Sequence, residues 1–291
     1  MAGIYVNDEG TWKLPKSIWV NDGTSTSGST GWRVCKNVYV NDGGAWKEMM
    51  KTVDLTSSKS NFNLYAYVGS PTEAISLIFN ISSGVEIYSS DSNNNTNPQP
   101  RTTAFTVGNF PTGSTVIINN NGYISGGGGF GGSGQYQYNR SVYSASAGGT
   151  GGIGINKGSS NNYDCTIVNT GTIAGGGGGG GGGGLKFINP PPCSSVFGCP
   201  SGYYAPGKWG GDGAGITGAS RTQGGSTYAP SGLYSNAESP GGNGGALGDE
   251  GQRAPDVIGN LTPGANGGDG AAAIKGDIEI AVSGTIIGKI G

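Results

Sequence analysis

The stretch "IAGGGGGGGGGGLKF", residues Ile173 to Phe187, holds ten consecutive glycines, Gly175–Gly184. Ten residues without a side chain have nothing to bury. Each loses more conformational freedom on ordering than any other residue type, at about 1–2 kcal/mol apiece. Such a run is either a flexible linker or a segment packed through its backbone alone. Shorter glycine clusters lie before and after it. Of the 62 glycines, eleven lie in residues 1–121 and 51 lie from Gly122 onward. Collagen would need glycine strictly at every third position and abundant proline. The clusters here are irregular and the whole chain has 14 prolines, so the triple helix is excluded.

The runs start from a repeated signal. "TVIINNNGYISGGGG" (Thr115–Gly129), "CTIVNTGTIAGGGG" (Cys165–Gly178) and "IEIAVSGTIIGKIG" (Ile278–Gly291) share one pattern. Each is an Ile/Val strand, a turn ending in Gly122, Gly171 or Gly284, then x-Ile-x-Gly. A linker has no reason to begin three times from the same strand-turn-strand, so a fold places the glycines. Packed polyglycine II helices meet that need. They have three residues per turn and about 3.1 Å rise, and they bond N–H to C=O between neighbours once no Cβ intervenes. The candidate helices are Gly126–Gly134, Ala147–Gly158, Gly175–Gly184, Gly207–Gly218, Gly241–Gly251 and Gly264–Gly276. Only Gly175–Gly184 is pure glycine, so it is expected at the centre, surrounded on every side.

The N-terminal part follows other rules. "GIYVNDEGTWK", "SIWVNDGTSTSGSTGWRV" and "NVYVNDGGAWKEM" are three copies of one unit, with Val-Asn-Asp starting at Val6, Val20 and Val40. Asn-Asp-Gly between β-rich runs predicts a hairpin. The copies therefore read as three hairpins bearing Trp12, Trp32 and Trp46. Residues 52–121 read as a small β domain. "FNLYAYV" (Phe62–Val68), "ISLIFNI", "GVEIYS", "TAFTVGNF" and "STVIINN" are its predicted strands, separated by Gly, Pro and Asn turns. The predicted fold is a mainly β N-terminal part, made of short hairpins and a small β domain, plus a C-terminal bundle of packed polyglycine II helices with essentially no α-helix. The division is 1–51, 52–121 and 122–291.

Several functions find no support. Net charge is −2, from 16 basic and 18 acidic residues, with no basic stripe for nucleic acid. No apolar run reaches the roughly 18 residues of a membrane span. "MAGIYVNDEG" lacks the charged and apolar regions of a signal peptide, so the chain is expected to be made in a cytoplasm and released by something other than secretion. There is no histidine, which removes His-based nucleophile triads and most zinc sites. Cys35 and Cys165 read as buried small apolar residues. Cys193 and Cys199, five residues apart, form a candidate loop disulfide. "GYYAPGKW" nearly matches a P-loop, but Trp209 stands where a hydroxyl must meet magnesium. No pair of carboxylates is positioned by the sequence for glycoside cleavage. No catalytic residue, metal or cofactor is expected.

Between the glycine runs lie aromatic-rich stretches carrying Tyr136, Tyr138, Tyr143, Phe187, Phe197, Tyr203, Tyr204, Tyr228 and Tyr234. Tyrosine among Ser, Gly and Asn is the composition of a paratope; as an alternative, some of the rings cap the bundle. Glycine runs linked by Tyr-rich loops, behind a Trp-bearing N-terminal segment, resemble the adhesins at the tips of long tail fibres of T-even-type bacteriophages. The resemblance implies a polyglycine II sandwich whose exposed loops bind an outer-membrane protein or lipopolysaccharide of the host, on a virion, at the distal end of a tail fibre. It implies no enzyme activity and no membrane insertion. The Val-Asn-Asp/Trp repeat resembles segments of other phage tail-fibre proteins. Three hairpins on one chain match the end of a trimeric fibre protein, with Trp12, Trp32 and Trp46 entering three equivalent pockets. The alternatives are a private tryptophan core or trimerisation of the chain itself. Rival functions are a structural or antifreeze-type glycine-rich protein and a glycan-cleaving tip.

Overall fold

The computed structural model describes residues 50–89, 102–135, 144–158, 162–184, 208, 212–215, 240–256, 263–282 and 284–291. For strands within 6–49, 136–143, 186–188 and 203–205 it gives the backbone course. The N-terminal repeat forms three antiparallel hairpins. They are β1 (Val6–Asp8) with β2 (Thr11–Lys13), β3 (Ile18–Asn21) with β4 (Trp32–Cys35), and β5 (Asn37–Asp42) with the start of β6 (Ala45–Leu55). The six extra residues of the middle copy fall between β3 and β4, outside the described residues.

From β6 onward the chain winds through five rungs, each visiting up to three parallel sheets. Rung one is β6, β7 (Lys59–Ser60) and β8 (Phe62–Asn63), followed by a four-residue helix α1 (Leu64–Tyr67). Rung two is β9 (Ser76–Ile81), β10 (Glu86–Tyr88) and β11 (Phe105–Thr106). Rung three has β12 (Thr115–Asn120) and β13 (Tyr123–Ser125). It leaves the sheets through the hairpin β14 (Tyr136–Tyr138) and β15 (Ser141–Tyr143), and returns as β16 (Ile155–Asn156). Rung four has β17 (Asp164–Asn169) and β18 (Thr172–Ala174). It leaves through β19 (Lys186–Ile188) and β20 (Tyr203–Ala205), and returns as β21 (Ile274–Lys275). Rung five is β22 (Glu279–Val282) and β23 (Thr285–Ile287), with Ile290 bridging to Ile274.

The sheets run β5-β6-β9-β12-β17-β22, β7-β10-β13-β18-β23 and β8-β11-β16-β21. Together they make a three-sided solenoid around one core. Ile87, Ile124, Ile173 and Ile286 stack in register on one side, and Phe62, Phe105, Ile155 and Ile274 on another. Phe79, Phe105, Ile118, Ile124, Ile167 and Ile173 are fully buried. The division expected at 121/122 falls between β12 and β13 of a single rung, and residues on both sides of it share all three sheets.

Each corner of the repeat has a physical reason for its Gly. A Cβ on Gly122 would overlap the Val85 carbonyl, one on Gly171 the Gly122 carbonyl, and one on Gly284 would lie 2.5 Å from the Gly171 oxygen. Beside this glycine column, buried Asn120 donates Nδ2–H to Asn169 Oδ1 at 2.8 Å and accepts from the Gly122 N–H at 3.1 Å. One expectation fails. The alternating "FNLYAYV" is not a strand beyond Asn63. Asn63 instead caps α1, its Oδ1 accepting from Ala66 N–H at 3.0 Å, and Leu64 is the one buried residue of the helix.

The glycine runs continue the solenoid strands. Residues 126–135 extend β13 and Gly175–Gly184 extends β18; 144–154 lead back to β16 and 263–273 to β21. All of Gly175–Gly184 is buried. Its N–H groups repeat with period three. Gly176, Gly179 and Gly182 donate to Gly152, Gly149 and Ser146; Gly178 and Gly181 to Asp249 and Gln252; Gly177 and Gly183 to Ala214 and Lys208. Its carbonyls repeat likewise. Those of Gly177, Gly180 and Gly183 accept from Gly129, Gly132 and Gln135. Those of Gly175, Gly178 and Gly181 accept from Gly248, Gly245 and Gly242. Those of Gly176, Gly179 and Gly182 accept from Ala271, Gly268 and Ala265.

Six runs thus surround the central one, alternating as acceptors and donors. They also bond to one another in a closed ring: 126–135 to 212–215, on to 240–248, 249–254, 263–272, 144–154, and back to 126–135. The three-residue period is that of a polyproline II-type helix. Outward positions follow the same period. Ala147, Thr150 and Ile153, then Asn243 and Ala246, then Asn266, Asp269 and Ala272 are all at least partly exposed.

Below the bundle, Lys157 is buried with its Nζ donating to the Tyr163 carbonyl at 2.8 Å and lying 4.6 Å from the centre of the Tyr163 ring. The Tyr163 hydroxyl donates to the Gly108 carbonyl at 2.8 Å. Cys165 is buried as expected. Desolvation pushes its thiol up to about 12, against the opposing pull of Lys157.

Three outcomes are expected. The methyl of Gly179→Ala falls on the Phe130 carbonyl, so this variant loses about 3 kcal/mol in denaturant unfolding. Asn243→Ala, on an outward column, changes stability by less than about 0.5 kcal/mol. For Cys165, a pKa near 12 leaves roughly one thiol in ten thousand ionised at pH 8. Mass spectrometry should find Cys165 unmodified by maleimide at pH 8 in the native protein and modified after unfolding in guanidinium; labelling of the native protein at the denatured rate would contradict the burial.

Candidate functional site

The hydrogen-bond order fixes the direction of each run. Residues 126–135 and 249–252 run parallel to Gly175–Gly184, while 144–154, 208–215, 240–248 and 263–272 run antiparallel. Three outgoing runs therefore end, and four returning runs begin, at the end of the bundle away from β18. The connections between them emerge there together.

Two of these connections are hairpins. In the first, Tyr136 stands opposite Tyr143 and Tyr138 opposite Ser141. In the second, Phe187 stands opposite Tyr204 and Ile188 opposite Tyr203. Strands β14 and β20 of the two hairpins lie next to each other. Six of the nine aromatic residues singled out from the sequence are thus brought to one end of the molecule on two adjacent hairpins. Phe197, Tyr228 and Tyr234 lie outside the described residues, as do Cys193 and Cys199.

The base of this end is held by side chains that glycine spacing alone does not reveal. Ser133 N–H donates to Ser146 Oγ at 2.8 Å, closing the foot of the first hairpin connection. Gly131 N–H donates to Asp212 Oδ1 at 2.8 Å, joining two neighbouring runs. At the third connection, Arg253 forms a two-pronged pair with Asp256 at 3.0 and 3.1 Å, and Asp256 Oδ1 accepts from Gly264 N–H at 3.2 Å. The Arg253 hydrogen bonds, then that of Gly264, hold the Asp256 carboxyl below the usual carboxylate range. The Arg-x-x-Asp spacing is the sequence signal for this clamp.

At the opposite end of the chain, the three Trp-bearing hairpins share one register. Asn7, Asn21 and Asn41 stand opposite Trp12, Trp32 and Trp46, and Val6, Val20 and Val40 opposite Lys13, Arg33 and Lys47. The third copy is also the edge of the six-stranded sheet. The first two form separate two-stranded sheets. Among the described residues, no helix is long and apolar enough to cross a membrane.

No curated protein matches this chain. Among solved structures, it is similar to a chain in the crystal structure of the gp37-gp38 adhesin tip complex of the bacteriophage S16 long tail fiber. The identity is 19%, 84% of each chain is covered, and the TM-score is 0.46. The family model described as phage tail fibre adhesin Gp38 matches residues 50–291, which takes in the whole solenoid and every glycine run. A match over that span shows that the chain belongs to the Gp38 family of phage tail fibre adhesins.

Proposed function

We propose that this receptor-binding adhesin grips its host through the loop end of the glycine bundle, at the distal end of a tail fibre. The carrying observation is the convergence of the connections on one end, with hairpins β14–β15 and β19–β20 adjacent and aromatic residues paired in register. Tyr and Phe offer large contact area for little loss of side-chain entropy. The target is an outer-membrane protein or lipopolysaccharide, bound by Tyr136, Tyr138, Tyr143, Phe187, Tyr203 and Tyr204, with Phe197, Tyr228 and Tyr234 contributing from the neighbouring connections. The runs beneath are polyglycine II helices, as their three-residue period suggests. They make a rigid platform for variable loops. No step of this function calls for catalysis.

Residues 1–51 serve as the fibre attachment segment. A trimeric fibre end presents three equivalent sites, and a single chain can fill them only with three equivalent units. The shared register of the three hairpins supports that role, with Trp12, Trp32 and Trp46 as the anchors and one copy of the chain per fibre.

Two experiments test the two ends separately. Replacing Tyr136, Tyr138, Tyr203 and Tyr204 by Ser should lower adsorption of purified protein to host cells at least tenfold without moving the thermal midpoint; undiminished adsorption would refute the loop assignment. Replacing Trp12, Trp32 and Trp46 by Ala should abolish assembly onto fibres, scored by electron microscopy, and leave cell adsorption of the isolated tip intact. Normal assembly of that variant would rule out tryptophan docking.

A further inference from the structure

The outer side of the six-stranded sheet carries a groove unrelated to the loop end. Strand alternation sends Leu77, Phe79, Val116, Ile118 and Ile167 into the core, so the residues between them face out. A cavity of ≈ 470 Å³ opens on that outer side. Ile78, Ile117 and Val168 make an aliphatic floor. Asp164 and Glu279 stand at the end toward the last rung, with the hydroxyls of Thr115 and Thr166 beside them. Ile78, Ile117, Thr166 and Glu279 form one row across four strands. At about 4.8 Å per strand that row spans about 14 Å.

The polar groups of the groove are short of donors. Along the next row, Asn80 Nδ2 donates to Asp54 Oδ1 and Asn119 Nδ2 donates to Asn80 Oδ1, each at 2.8 Å. The relay stops at Asn119 because its register neighbour is Val168. Among the described residues no donor reaches Asn119 Oδ1, which lies in the groove. Thr166 Oγ1 is committed to Glu279 Oε2 at 3.3 Å. No cationic residue is among the described groove residues.

We infer that this groove binds an amino sugar. The occupant must bring hydrogen-bond donors and positive charge to Asp164, Glu279 and Asn119, and an apolar face to Ile117 and Val168. A glucosamine-type ring meets both demands: its hydroxyls and ammonium donate, and the C–H groups of one ring face are apolar. Carboxylate pairing with an ammonium is the strong, charge-assisted kind of hydrogen bond. Polar groups ranged around an aliphatic floor, in a cavity of this size, suit a small ligand that is fixed in orientation by a few convergent contacts. Phosphate-bearing glycans are disfavoured by the two carboxylates. The site stands apart from the loop-end receptor surface and does not depend on it.

The test uses the full chain and the glucosamine disaccharide as probe, titrated by calorimetry and by NMR. Native protein should show saturable binding. The Asp164→Asn/Glu279→Gln double variant, altered only at exposed positions, should bind at least tenfold more weakly with an unchanged thermal midpoint. Ile117→Trp, which fills the floor, should abolish binding. The N-acetylated disaccharide should bind at least tenfold more weakly than the free amine. No saturable binding to the native chain, unchanged binding by the double variant, or equally tight binding of the acetylated sugar or of a trilysine peptide would each overturn the assignment. Host-cell adsorption of the same variants reports on the loop end independently.

Discussion

The whole glycine bundle depends on backbone N–H···O=C bonds reaching a central run that has no side chains. Gly175–Gly184 presents donors in three directions and acceptors in three others, and the six surrounding runs answer them in alternation. A single Cβ in the central run would strike a neighbouring carbonyl: on Gly176 that of Gly127, on Gly178 that of Gly268, on Gly182 that of Ser133. The arithmetic of such a bundle is tight. A buried backbone hydrogen bond contributes a net of about 0.5–1.5 kcal/mol, and ordering a glycine costs about as much or more. The bundle therefore depends on the solenoid beneath it. Strands β13 and β18 fix the starts of the first two outgoing runs, and the stacked Ile and Phe of the solenoid supply the hydrophobic burial that glycine cannot.

The junction between the two materials is gradual. Ala174 O accepts from Gly126 N–H directly after the last paired residues of β13 and β18, so the ladder of the sheet passes into the glycine lattice without a break. Ser89, one rung below, donates no glycine run of its own but accepts from Gly127 N–H at 2.7 Å and finishes the edge. On the return side Ala273, fully buried, marks the same transition in reverse.

Much of this was legible in the chain. The three aligned copies at Ile124, Ile173 and Ile286 are the structural register, because the corner glycines and the inward Ile are dictated by local sterics. The central place of the pure glycine run followed from the same reasoning about Cβ atoms. The solenoid itself was hidden. Its third and fourth rungs are split by residues 126–154 and 175–273, so strands of one turn lie far apart in sequence. Its second rung keeps the inward Ile at Ile87 but follows it with Ser89 instead of glycine. The segment Phe62–Val68 misled through its alternation, since capping by Asn63 outweighs a pattern only two residues of which enter a sheet. At the loop end the Arg253–Asp256 clamp is a local pair three residues apart, whereas the adjacency of β14 and β20 arises from the return paths of distant runs and leaves no mark in the sequence.

The three-residue period also sets a grammar for how such a tip can vary. Lengthening a run by one residue would rotate every later position by a third of a turn and bring outward residues such as Asn243 and Ala246 against a neighbour's carbonyls. Only insertions in threes, matched in the adjoining run, keep donors facing acceptors. The hairpins beyond Gln135 and Gly184 are under no such rule. Sequence drift is thus channelled away from the stem and into the tips, where length and composition can change freely while the stem's periodicity acts as a frame-keeping filter.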